Sequence, residues 1–119
     1  MKVLTKTKTL TNFRITNPCI TIQKRMILAK ERFNFFQKGE YIALVELPQG
    51  LAVAVSKTSL SGFTKVVLCG PKNNRDLRAT FNSDNWELLE SKKGRHEVTE
   101  SIEVDGIKCL LIKPLNKPQ

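Results

Sequence analysis

Apolar and polar positions alternate with a period of two along most of this chain, and short runs of Gly, Pro, Asn and Asp separate the alternating stretches. Cys19–Gln23 puts Ile20 and Ile22 on one face and Thr21 and Gln23 on the other, which predicts a half-buried strand turning at Lys24-Arg25. Met26–Leu28 re-enters the interior. From Ala29 the run AKERFNFFQK spaces Ala29, Phe33 and Phe36 at i, i+4 and i+7, predicting a brief helix that Gly39 stops in a left-handed position. Tyr41–Leu47 is apolar on both faces, LPQG makes a tight turn, and Leu51, Val53 and Val55 alternate with the small Ala52, Ala54 and Ser56.

Beyond Thr58–Ser61 the pattern resumes. Phe63–Cys69 and Leu77–Phe81 read as strands on either side of GPKNNRD, whose Gly, Pro and Asn are loop chemistry. NSDNWELLESKKG reads as a second short helix, with Asp84 as N-cap, Glu87 three residues on, Lys92 and Lys93 in the last turn and Gly94 after it. Val98, Ile102 and Val104 are expected to face inward, with Glu100 the exception. Asp105-Gly106 is the preferred two-residue hairpin turn, and Ile107–Ile112 returns. The expectation is a mostly β (α+β) fold: a small β-barrel with two short helices and a C-terminal β-hairpin. Residues 1–17 form a basic arm, 18–57 a first module and 58–119 a second β-rich half with one helix, the whole making one compact unit.

Charge singles out the first third. The 119 residues carry a net charge of +9, and residues 1–38 hold nine Lys/Arg against Glu31 alone. Such asymmetry suits a polyanion-binding face; a charged solubilising surface or mobile tail is the plainer alternative. Lys6, Lys8 and Arg14 lie on the arm, Lys24 and Arg25 in the first turn, and Lys30 and Arg32 on the expected helix. Lys72, Arg75 and Arg78 around GPKNNRD either extend the basic surface or merely solvate the loop. The phenylalanines suit core packing better than base stacking.

Other chemistry is sparse. His96, the sole histidine, reads as a loop residue in GRHE, and no nucleophile motif, phosphate-cradling glycine loop or carboxylate pair is recognisable, so no enzymatic activity and no cofactor are expected. Cys19, Cys69 and Cys109 are odd in number and share no metal-ligand spacing, which fits reduced thiols in a cytoplasmic protein. No apolar run of the roughly 20 residues needed to cross a bilayer occurs, and MKVLTKTKTL leads into polar sequence, so neither membrane insertion nor export is expected.

The runs ITIQKRMILAKERF and KGEYIALVEL follow the order strand, basic turn, apolar pair, helix, Gly-acid, strand. In this, residues 18–57 resemble the swapped-hairpin DNA-binding domains of AbrB-like transcription regulators and related antitoxins. The resemblance implies a phage or bacterial regulator of transcription. Two chains would interlock their hairpins into one barrel, with Lys24, Arg25, Lys30 and Arg32 toward the major groove of DNA. A homodimer would also cover the doubly apolar Tyr41–Leu47 strand. The alternative is an interaction module whose basic face docks on an acidic protein partner.

Overall fold

In the computed structural model, which describes residues 18–82 and 85–115, strands dominate and helix is confined to short turns. The elements are β1 (Cys19–Ile22), β2 (Met26–Lys30), β3 (Tyr41–Leu47), β4 (Gly50–Ser56), β5 (Thr64–Lys65), β6 (Val67–Cys69), β7 (Asp76–Thr80), α1 (Trp86–Ser91), β8 (Gly94–Val104) and β9 (Ile107–Pro114). They form one antiparallel sheet in the order β5-β3-β4-β9-β8-β1-β2-β7-β6, curled into a nearly closed barrel. The expectation of a mostly β barrel holds. Every strand finds its partners within one chain: the β1–β2 hairpin lies between β8 and β7, and the β3–β4 hairpin between β5 and β9.

The two nominal edges of the sheet are consecutive pieces of the same chain. Thr64 and Lys65 pair with Ile42 and Tyr41 of β3, and Val67–Cys69 pairs with Arg78–Asp76 of β7. Val66 stands between them, donating its N–H to the Glu40 carbonyl at 2.8 Å and accepting the Gly39 N–H at 2.9 Å. Its side chain is wholly buried. A sheet that bends round onto one continuous segment of chain leaves few backbone groups unpaired at an edge.

Inside, Ile20, Ile22, Ile27, Ala29, Ile42, Leu44, Val53, Val55, Leu77, Ala79, Leu110 and Ile112 come from alternate positions of six strands, joined by Phe36, Phe81 and Leu89. The strand β3 is apolar on both faces, as its sequence requires. Its outer row belongs to a second cluster built on Ala52, Ala54 and Cys109, with Val45, Leu47, Phe63, Ile102, Val104, Ile107 and Leu111 around them. Residues of the same chain thus bury the small-residue floor of this face.

Three local expectations change. The first is the helix from Ala29. Ala29 and Lys30 complete β2, and only Glu31–Phe33 makes a single 3-10 turn, which ends at Asn34 with φ 60. The strand alternation of Ile27 and Ala29 wins over the i, i+4 spacing, and asparagine tolerates the left-handed backbone that ends the turn. Phe36 consequently turns into the core at 1% exposure, while Phe33 stays only partly buried.

The second change is in β8, where a bulge between Val98 and Glu100 reverses the facing of the residues after it. Val98 packs on the main core, whereas Ile102 and Val104 join the outer cluster. Glu100 is exposed because it too has passed to the outer face. The third is His96, which lies within β8, opposite Ile20, and is 2% exposed instead of lying in a loop.

The helix α1 follows at Trp86–Ser91; Asp84 lies outside the described residues, and Gly94 opens β8 instead of capping the helix. Asp105-Gly106 makes the expected hairpin turn, both residues at positive φ. Among the described residues all three cysteines are free, and no helix is long and apolar enough to cross a membrane.

Phe36 and Phe33 separate core from surface. Phe36→Ala is expected to cost about 3–5 kcal/mol in urea unfolding, and Phe33→Ala about 1 kcal/mol or less. Equal losses would contradict this placement.

Candidate nucleic-acid interface

The register of β1, β2, β7 and β8 sets which charges meet on the outside of the barrel. Ile27 and Ala29 point in, so Met26, Leu28 and Lys30 point out; Thr21 sits opposite Leu28 and also opposite Arg95, and Lys30 opposite Asp76. The Lys30 ammonium and the Asp76 carboxylate meet at 3.1 Å, an opposite-charge cross-strand pair contributing about 0.2–1 kcal/mol. Arg95 reaches back over β1, its Nη2 3.8 Å from Cys19 Sγ. The 3-10 turn then lifts Arg32 and Phe33 beside them.

Together these side chains line a shallow concavity of about 280 Å³. Its floor is Cys19, Thr21 and Leu28; Phe33 forms a wall, and Lys30, Arg32, Arg95 and Asp76 form the rim. The Arg32 guanidinium lies 5.1 Å from the centre of the Phe33 ring, within cation–π range, and Phe35 stands 5.8 Å away at a tilt of 47°.

Arg32 also lines the next concavity, about 500 Å³, together with Glu31, Asn34, Lys72, Asn73, Asn74 and Arg75. The β6–β7 loop is brought there by two bonds: Glu31 N–H donates to the Arg75 carbonyl at 3.0 Å, extending the β2–β7 ladder, and Arg32 Nη1 donates to Asn74 Oδ1 at 3.5 Å. Gly70 opens this loop at φ 98, and a Cβ there would stand 3.2 Å from the Asn74 carbonyl oxygen. Only glycine fits without moving the loop. Nearby, Arg78 Nε is buried without a hydrogen-bond partner among the described residues.

The residues singled out by the sequence therefore divide. Lys30 and Arg32 belong to this surface. Lys24 and Arg25 occupy the β1–β2 turn as expected, but at the far end of β2, about 17–20 Å away by strand rise. There they lie over the Trp86 ring, Lys24 Nζ at 5.8 Å and Arg25 Cζ at 4.6 Å from its centre. Trp86 Nε1 donates to the Phe81 carbonyl at 2.8 Å, and Phe81 N–H donates to the Arg25 carbonyl at 2.6 Å, so this end is tied together as structure. Lys6, Lys8 and Arg14 lie outside the described residues.

Arg95 was hidden from sequence reasoning because it is remote from the basic first third, and Phe33 because its spacing imitated a core stripe. Beside the expected Lys30 and Arg32, the loop cations Lys72 and Arg75 carried an advance signal in their charge. Among the described residues, Arg32, Lys72, Arg75 and Arg95 have no carboxylate within ion-pair distance, whereas Lys57, Lys92 and Lys93 face Glu40, Glu46 and Glu90.

His96 takes no part in this surface. Burial, reinforced by the nearby Lys92 charge and opposed by its bond to the Gly94 carbonyl, lowers its pKa from the ordinary 6.5. Among the described residues no group of three His, Cys, Asp or Glu is placed to hold a metal ion. No family model, curated protein or solved structure matches the chain.

Two measurements follow from this geometry. Because the unfolded chain takes up the His96 proton first, stability is full above about pH 6.5 and falls as pH drops below it. Urea midpoints at pH 7.5 and 5.5 should show a drop that His96→Gln reduces, and an unchanged drop would contradict burial of the neutral ring. Arg25→Ala is expected to cost about 0.5–1 kcal/mol and to alter the fluorescence of Trp86, the single tryptophan; an unaltered emission would remove the stacked arrangement.

Proposed function

We propose that this protein binds nucleic acid without catalysing a reaction, using the stripe that runs from Arg95 through Lys30 and Arg32 to Arg75 and Lys72. One observation carries the reading: Arg32 lines both concavities, and so joins five cations into one surface against Asp76 and Glu31. Asn34, Asn73 and Asn74 add amide donors and acceptors to it. Arginine guanidinium groups pair with phosphate in a bidentate fashion and lysine acts as a point charge, so a row of both follows a sugar–phosphate backbone. The reading needs one chain only and does not depend on exchange of hairpins between two chains; a role in transcription is its regulatory form. Basic residues 1–17 add Lys6, Lys8 and Arg14 to the electrostatic attraction.

Binding of a labelled oligonucleotide, measured by anisotropy across salt concentration, tests it. Five phosphate contacts give a log–log salt slope of about −3.5 for a single strand and about −4.5 for a duplex. Arg32→Glu with Arg75→Glu should weaken binding roughly 10-fold or more, while Lys24→Ala with Arg25→Ala should weaken it much less. Absence of oligonucleotide binding at low salt, with an acidic protein retained from a nuclease-treated lysate, would replace nucleic acid by a protein partner.

A further inference from the structure

We propose that the 280 Å³ concavity is a pocket for one unpaired base, which makes single-stranded nucleic acid the ligand class; the inference rests on the nucleic-acid reading above. The composition of the concavity separates it from its neighbour. The 500 Å³ hollow is lined by charged and amide side chains alone, as a backbone-tracking surface requires. The smaller one has an apolar floor, Leu28 and Cys19, and an aromatic wall, Phe33. An apolar floor adds nothing to phosphate binding, but it desolvates and supports the face of a base.

Phe33 is on this surface for a structural reason. With Asn34 in the left-handed region, the chain reverses after one 3-10 turn, so Phe36 fills the core and Phe33 is left partly buried at the surface. The Arg32 guanidinium over its ring adds a second planar group of the kind on which bases stack. The Thr21 hydroxyl and the Asp76 carboxylate, the latter held by Lys30 at 3.1 Å, offer a donor–acceptor and an acceptor to a base edge. Arg95 and Lys30 lie at the rim, where the flanking phosphates of a base turned inward would pass.

Size decides between strands. At about 280 Å³ the pocket falls just below the roughly 300–1,000 Å³ typical of sites for drug-sized ligands, which suits a single base. In a duplex each base is stacked and paired, so a duplex reaches the stripe only through its phosphates. The order of binding strength therefore differs from that of a purely electrostatic surface, for which the denser charge of a duplex would win.

The test compares a labelled 12-nucleotide thymidine oligomer with a 12-base-pair duplex, using the full chain and its Phe33→Leu and Arg32→Glu/Arg75→Glu variants at one salt concentration. The expected result is tighter binding of the single strand, a loss of about 5-fold or more for that strand in Phe33→Leu, and unchanged duplex binding by the same variant. Unchanged duplex binding also shows that Phe33→Leu is folded. If Phe33→Leu leaves the single strand unaffected while Arg32→Glu/Arg75→Glu weakens both, the base pocket is overturned and the basic stripe stands. If neither oligonucleotide binds the unaltered protein, both readings are overturned.

Discussion

Closure of the sheet through Thr64–Cys69 is the constraint on which the rest of this structure depends. The same six residues bond to β3 at one end and β7 at the other, and Val66 is wholly buried where they cross. Once the sheet bends round on itself, alternation along each strand has one meaning: one residue fills the interior and the next must face out. The interior is already supplied by Ile, Val, Leu and Phe36. Lys30, Asp76, Arg78 and Arg95 are therefore forced onto the outer face, and the antiparallel register brings Lys30, Asp76 and Arg95 to the rim of one concavity.

Positive charge is used differently at the two ends of β2. At the turn end, Lys24 and Arg25 are spread over Trp86, and the backbone bonds of Phe81 join that turn to the start of α1. Both side chains are exposed and lie against an aromatic face. At the other end, the 3-10 turn and the β6–β7 loop bring Arg32 and Arg75 beside Lys72; like Lys24 and Arg25, they have no carboxylate partner among the described residues, but here the cations line one concavity. A cation left unpaired beside other cations raises the local potential and stabilises an incoming anion.

Most of the barrel was legible in the sequence. The turns at Lys24-Arg25, Pro48-Gln49 and Asp105-Gly106 are where their residue types place them, and the loop at GPKNNRD joins β6 to β7. The first helix was illegible because one spacing served two periods: Ala29 lies on the inward face of a strand through Ile27 and equally begins a helical stripe through Phe33 and Phe36. Only the conformation of Asn34 separates the two. The bulge near Thr99 has no sequence signal beyond the misplaced Glu100. The candidate interface was half legible, since Lys30, Arg32, Lys72 and Arg75 announce themselves by charge, whereas Arg95 joins them only through its rung opposite Thr21.

Backbone amide shifts recorded by NMR during titration with a short single strand test the central claim most directly, because they report position as well as binding. The account predicts that the largest shifts fall at Lys30–Phe33, Lys72–Arg75 and Arg95, with Trp86 and the Lys24-Arg25 turn nearly unmoved. Shifts concentrated at Lys24, Arg25 and Trp86, with the Arg32 region silent, would contradict it.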